Sequence, residues 1–168
     1  MDHDDEFRKY DLDEFFDFLR VSKLRSIRRM AWLYANHKEE EPFKNEVQEF
    51  RHGEFHMEEN YLLGEPLSGQ ELIWFQDRPI WVMNYFGQSV DKEKPADPER
   101  IIEIMKLSAI NLLMIYGPGG WFYYSKSDGY LYTVSKYGGI NKMNNKGVIY
   151  YKDKPIYKFT CYGGTISS

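Results

Sequence analysis

Two polar side chains, Glu71 and Asn84, occur in the otherwise apolar and aromatic runs 71–75 and 80–87 of the stretch 69–87. A buried carboxylate must find a partner or take up a proton, and a cavity with a few convergent polar groups is the usual form of a ligand site. If the stretch folds back on itself, the two side chains lie opposite each other and could orient a ligand. The alternative is that they satisfy neighbouring backbone groups or lie at a hydrated sheet edge.

A second set of candidate groups alternates along residues 51–60, comprising His52, Glu54, His56 and Glu58. On a strand all four would line one face, and two histidines with two carboxylates can bind zinc, manganese or iron. On a helix the histidines would share a face, but Gly53 disfavours that structure. Strict alternation with apolar residues is also typical of a solvated strand face. We therefore predict no metal site here.

A cysteine nucleophile is not indicated. Cys161 is the single cysteine of the chain, so the sequence can form neither an intrachain disulfide framework nor a cysteine-based zinc site. It alternates with apolar Phe159, which is typical of a small core residue. No serine lies in a nucleophile-elbow pattern, and the catalytic residues stay unknown. No cofactor is predicted.

The composition narrows the class of protein. The formal net charge is −4 and aromatic residues make up 17% of the chain. Mild acidity argues against a nucleic-acid partner, whereas the excess of rings suits strands or stacking on a flat ligand. The first residues are acidic where a secretory signal would be basic, and no window is apolar enough for a membrane span. We expect a soluble, cytoplasmic protein that does not bind membranes.

The elements follow from periodicity and from turn signals. Apolar spacing predicts a helix over residues 11–36, with a possible break at residues 21–22. A second, central helix begins after the N-cap Asp97 and stops at the glycine-rich residues 117–120. Residues 1–10 are expected to form a flexible acidic N-terminus, and residues 11–168 a single domain.

One aromatic phrase occurs twice, in residues 69–87 and 145–163, and each copy reads as a β-hairpin around a four-residue polar break. Pairing Trp74 with Trp81 places Glu71 opposite Asn84. The same register gives two aromatic core faces: Leu72, Trp74, Trp81, Met83 and Tyr85 in the first hairpin, and Val148, Tyr150, Tyr157, Phe159 and Cys161 in the second. The predicted fold class is α+β, with two related hairpins and further strands in a mostly antiparallel, curved sheet. The sheet packs on the central helix, and an N-terminal helix completes the fold.

The motif GQELIWFQDRPIWVMNYFG, residues 69–87, resembles the DUF5680 family of domains of unknown function. The turn at Gly117-Pro118 and the closing Tyr162-Gly163-Gly164 fall in the order that this resemblance implies, over residues 12–166. The chain has Tyr116 and Tyr162 where an arginine and a histidine are expected. The resemblance implies no established activity. Some relatives form carboxy-terminal parts of helix-turn-helix regulators, although too little sequence precedes Asp11 for such a unit here.

The leading functional prediction is a non-enzymatic binding module. Its pocket, between the two hairpins and the central helix, would hold a small flat ligand or a partner segment. Five residues are predicted to line it: Glu71, Asn84, Trp74, Trp81 and Tyr85. One alternative is a protein-interaction factor, such as an immunity protein, an antitoxin or a phage counter-defence factor, that meets a basic partner. Another is a small hydrolase or nucleotide-processing enzyme that uses Glu71 with His52 or His56.

Overall fold

The computed structural model describes residues 10–36, 44–112 and 122–166. Two helices and eight strands occur among them. In chain order they are α1 (Leu12–Asn36), β1 (Lys44–His52), β2 (Phe55–Leu63), β3 (Leu67–Phe75), β4 (Arg78–Ser89), α2 (Pro98–Leu112), β5 (Phe122–Ser127), β6 (Tyr130–Tyr137), β7 (Met143–Tyr151) and β8 (Lys154–Thr165). The predicted α+β class is confirmed.

The strands form one antiparallel sheet in the order β1-β2-β3-β4-β8-β7-β6-β5. Each half of the described chain therefore has the same order of elements, a helix followed by four strands. The halves meet where β4 pairs with β8, and this places the hairpins β3-β4 and β7-β8 side by side.

Both helices lie against the same face of the sheet, here called the helix face, and contact each other. Asp97 caps α2 as predicted, because its Oδ1 accepts the backbone N–H of Glu99 at 3.1 Å. The predicted break in α1 is wrong. Ser22 is fully buried, and its hydroxyl donates to the carbonyl of Leu19 at 2.9 Å, so the helix itself satisfies this polar side chain. The predicted end of α2 at residues 117–120 lies outside the described residues.

The core has two parts. Under α1, aromatic rings pack against one another in tilted and stacked pairs, and Phe55 contacts Phe15, Phe18 and Phe75 at centroid distances of 5.9, 5.3 and 5.0 Å. Under α2, a second cluster consists of Ile101, Ile104, Tyr132, Val134, Ile149 and Tyr157. Phe159 packs against both clusters and joins them.

The hairpins are present, but the predicted register is wrong in both. Gln76 and Asp77 have φ angles of 48° and 63°, the left-handed values of a two-residue type I′ turn in place of a four-residue break. Ile80 is then an extra residue on β4, so that Trp74 pairs with Pro79 but Ile73 pairs with Trp81. The hairpin β7-β8 has the same turn, at residues 152–153, and the same irregularity in its register.

This shift moves half of the predicted core to the other side of the sheet, because side chains alternate between faces. The β4 and β8 members do lie on the helix face: Trp81, Met83, Tyr85, Tyr157, Phe159 and Cys161. The β3 and β7 members point away from the helices, on what we call the outer face: Leu72, Trp74, Val148 and Tyr150.

Candidate functional site

A cavity of about 150 Å³ lies between α1, α2 and the helix face of the sheet, where the two halves meet. Its apolar lining consists of Ile27, Met30, Leu67, Met83, Met105, Tyr132, Met143 and Phe159. Its polar lining consists of Lys23, Ser26, Glu59, Tyr85, Lys136, Asn145 and Cys161. A mostly apolar cavity with a few polar groups has the usual composition of a small-molecule site.

Two glutamates lie side by side beneath α1. Glu59 of β2 pairs directly with Glu71 of β3, and the two side chains are 1% and 0% exposed. Both occupy positions in their strands that otherwise carry apolar core residues, as the burial pattern on either side of each shows. A buried charge needs compensation, so each glutamate must have its own partners.

Glu59 is held by hydrogen bonds from neutral groups. One carboxylate oxygen accepts from the hydroxyl of Ser26 at 2.5 Å and from the amide of Gln48. The other accepts from the hydroxyl of Tyr85 at 2.7 Å. Three donors from α1, β1 and β4 thus fix this carboxylate at one end of the cavity.

A glycine permits the Tyr85 contact. Gly69 pairs with Tyr85 across β3 and β4, and a Cβ atom at Gly69 would lie only 2.3 Å from the Tyr85 hydroxyl oxygen. The tyrosine ring can therefore cross β3 and reach Glu59 only where no side chain stands. Burial, with the neighbouring Glu59 adding to it, raises the pKa of Tyr85 well above its ordinary value, so this hydroxyl stays protonated.

Glu71 is paired with Lys23 of α1, whose ammonium donates to Glu71 Oε2. Glu71 Oε1 has no hydrogen-bond partner among the described residues. Burial raises the pKa of Glu71; Lys23 opposes this shift, and the adjacent Glu59 adds to it. Lys23 also lines the cavity, so Glu71 lies directly behind its wall.

A row of polar side chains crosses the cavity floor from strand to strand. Lys136 of β6 pairs with Asn145 of β7, Asn145 with Cys161 of β8, and Cys161 with Tyr85 of β4. Because directly paired residues on one face are nearest neighbours, these four side chains form a continuous line. Burial lowers the pKa of Lys136 and raises the pKa of the Cys161 thiol to about 11.

The five sequence-predicted site residues are divided between the two faces. Tyr85 lines the cavity, and Glu71 lies directly behind its wall. Trp81 is 1% exposed and donates its indole N–H to the carbonyl of Ile140 at 3.1 Å, as a core residue does. Trp74 and Asn84 point to the outer face, where Asn84 accepts a hydrogen bond from Gln70 at 2.9 Å. The predicted register placed Trp74 on the same face as Trp81 and placed Asn84 opposite Glu71. In the observed register Ile73 pairs with Trp81 and Glu71 pairs with Met83, so Trp74 and Asn84 both lie on the outer face.

The histidines do not lie with Glu71. His52 ends β1 and is exposed, and Glu54 belongs to the turn that follows, so the predicted single strand face is wrong. His56 stacks on Trp74 of the outer face, with centroids 5.1 Å apart. No group of three or more potential metal ligands occurs in the part of the chain that the structure describes.

Sequence reasoning missed Glu59, Lys23 and Lys136. A signal was present for Glu59 and Lys136, because each interrupts a period-two run of core residues: Phe55, Met57, Tyr61 and Leu63 in β2, and Tyr132 and Val134 in β6. Lys23 gave no signal, since a lysine on a helix is ordinarily solvated.

Comparison with protein families adds one finding to this geometry. The family model described as a domain of unknown function, DUF5680, matches residues 59–166. The chain belongs to this family. The match confirms the resemblance seen in residues 69–87, and it begins at the buried Glu59. The DUF5680 region supplies the cavity floor, whereas the α1 residues Lys23 and Ser26 lie outside the matched range. Tyr162, which occupies the position where the resemblance implies a histidine, lies on the outer face and is 60% exposed.

No curated protein and no solved structure matches the chain. Neither helix of the described residues has the length and apolar character that a membrane span requires.

A pH dependence follows from the burial of Glu71. Its pKa in the folded state is raised above the ordinary 4.5, so folding takes up a proton in the interval between the two values. The contribution of Glu71 to stability is therefore complete below pH 4.5 and is lost as the pH rises through the folded-state pKa. The Glu71→Gln variant, which mimics the protonated form, should gain stability relative to the wild type as the pH rises, by at most about 1.4 kcal/mol per pH unit.

Urea unfolding of both proteins between pH 4.5 and 8 measures this difference, starting at the ordinary pKa of the group. Glu93→Gln, which makes the same charge change in an exposed loop, is the control. A stability difference between Glu71→Gln and wild type that does not vary with pH would contradict the shift.

Proposed function

We propose that this chain is a non-enzymatic binding module that holds a small flat ligand in the cavity between α1, α2 and the helix face. The observation that carries the proposal is the polar row on the floor of a mostly apolar cavity, Lys136 to Tyr85, at the junction of the two halves. Perturbed titratable groups gather at ligand sites more often than elsewhere, and Glu71, Tyr85, Lys136 and Cys161 all have shifted pKa values around this cavity.

The size of the cavity favours a small molecule over a partner segment. Its volume of about 150 Å³ is near that of an engineered protein cavity, roughly 150 Å³, that accommodates benzene. Four methionines line it, Met30, Met83, Met105 and Met143. Because methionine side chains are unbranched and polarisable, they adapt to the outline of an apolar ligand.

The states of Cys161, Tyr85 and Glu59 suit these three groups to binding and not to catalysis. A general base or nucleophile works best when its pKa lies near the operating pH. The Cys161 thiol, with its pKa raised to about 11, and the Tyr85 hydroxyl both stay protonated at pH 7. Glu59 already accepts three hydrogen bonds, so these groups are suited to orienting a ligand.

Filling the cavity should abolish ligand binding without unfolding the protein. Ile27 of α1 lines the cavity, whereas Val21 of the same helix is 40% exposed. We expect the wild type and Val21→Phe, purified from cells, to carry the same small-molecule adduct in native mass spectrometry, and Ile27→Phe to lack it. Circular dichroism of all three proteins checks that they are folded.

Two outcomes would contradict the proposal. One is an adduct that Ile27→Phe retains at the wild-type level, because the ligand would then lie elsewhere. The other is a wild-type protein that carries no adduct and whose melting temperature does not respond to any of a panel of one-ring and two-ring compounds, acidic, neutral and basic.

A further inference from the structure

The two ends of the polar row differ in what they still offer to a ligand. At one end, the Tyr85 hydroxyl donates to Glu59, whose oxygens also accept from Ser26 and Gln48. The acidic end is therefore already supplied with donors from the protein. A ligand gains little by placing a further donor or a cation there.

The other end is basic and has an unsatisfied acceptor. Lys136 is 7% exposed and lines the cavity, with its strand neighbours Tyr132 and Val134 buried in the apolar cluster under α2. Asn145 pairs directly with Lys136, and its Oδ1 atom is buried without a hydrogen-bond partner among the described residues. An ammonium has three N–H donors, so Lys136 can bind an anion in addition to its contacts within the protein.

The Lys136 ammonium and the Asn145 Oδ1 atom can both be satisfied by one ligand that carries an anionic group and a hydrogen-bond donor. A carboxylate next to Lys136 would form an ion pair with its ammonium, and a hydroxyl or N–H group elsewhere on the same ring would donate to Asn145. Side chains of directly paired residues stand about 5 Å apart at Cβ, which is close to the separation of two meta substituents, so both contacts can be made by one ring. The remainder of the ligand would lie against the apolar side chains of Ile27, Met105 and Phe159.

The geometry points to a small, flat aromatic carboxylic acid with a hydrogen-bond donor meta to its carboxylate as the ligand of this cavity. This inference rests on the proposed binding function and assigns its ligand class. The carboxylate binds at Lys136, the donor binds at Asn145, and the ring lies along the row towards Cys161.

Three one-ring probes test the class: 3-hydroxybenzoate, benzoate and 3-hydroxybenzamide. Isothermal titration calorimetry at pH 7 with the full chain should show 3-hydroxybenzoate binding at least tenfold more tightly than the neutral 3-hydroxybenzamide. Benzoate, which lacks the donor, should fall between them. Lys136→Met should remove the preference for the acid over the amide, and Asn145→Leu should remove the preference for 3-hydroxybenzoate over benzoate.

Lys146→Met is the matched control, because Lys146 is exposed on the neighbouring strand β7. It should leave all three affinities unchanged. The comparison of the three probes on the wild type tests the class even if a variant fails to fold.

The failures are distinguishable. If 3-hydroxybenzamide binds as tightly as the acid, the ligand class is wrong but the binding function stands. The class is also wrong if no probe binds while the wild type carries an adduct that Ile27→Phe lacks. If no probe binds and no adduct is present, both the ligand class and the proposed binding function are wrong.

Discussion

Replacing Lys23 with methionine is expected to destabilise the protein by about 3 kcal/mol at pH 7, because it leaves the buried Glu71 carboxylate without its cation. The Glu71 side chain is 0% exposed and that of Lys23 is 15% exposed, so water cannot replace the lost partner. The cost should shrink as the pH falls towards 4.5, since Glu71 can then take up a proton and become neutral. Urea unfolding at pH 5 and pH 7 measures both effects.

The double variant Lys23→Met/Glu71→Met tests whether the cost arises from the unpaired carboxylate. Removing both charges should recover most of the lost stability, because apolar side chains of similar volume often replace a buried ion pair without cost. Arg20→Met is the control. Arg20 pairs with Asp17 at the surface of the same helix, with 51% and 75% of the side chains exposed, and its loss should change the stability by less than about 0.5 kcal/mol. A double variant as unstable as Lys23→Met alone would show that Lys23 acts through packing and not through Glu71.

Trp81→Ala should cost about 3–5 kcal/mol, which is the range for removing a large aromatic side chain from a core. Trp81 is 1% exposed, belongs to the cluster under α1 and donates its indole N–H to Ile140. The substitution would leave a cavity and an unsatisfied carbonyl. Thermal and urea unfolding give the difference in free energy.

Trp74→Ala is the matched comparison, because the sequence pattern places both tryptophans on one face. Trp74 lies on the outer face, partly exposed and stacked on His56. We expect it to cost about 1 kcal/mol or less, as for the loss of one cross-strand contact. Equal costs for the two substitutions would contradict the register of the β3-β4 hairpin.

The cavity is lined by residues from inside and from outside the range that the family model matches. Its floor comes from strands within the DUF5680 match, residues 59–166, and part of its cover comes from α1, which precedes that match. The pair Lys23–Glu71 and the hydrogen bond from Ser26 to Glu59 both cross this boundary. The stability experiments on Lys23 therefore also report how firmly α1 is attached to the family domain.

Local signals in the sequence determined much of the architecture. Asp97 marked the start of α2, and Asp128-Gly129 marked the turn between β5 and β6, because capping and turn conformations depend on a few adjacent residues. Alternation placed Trp81 and Cys161 in the core, since period two is a property of a single strand. The two hairpins and the α+β class followed from the same local patterns.

Only the tertiary structure decided which of these residues form a site. The two-residue turn at Gln76-Asp77 and the extra residue at Ile80 together displace the register by one from the predicted one, so that Glu71 pairs with Met83 in place of Asn84. The strand order then brings β4 against β8, which joins Tyr85 to Cys161 across 76 positions of sequence. Bulges and long-range strand pairing depend on how whole elements pack, and no local pattern encodes them. The sequence by itself could identify the buried strands, but the fold alone placed Glu59, Tyr85 and Lys136 around one cavity.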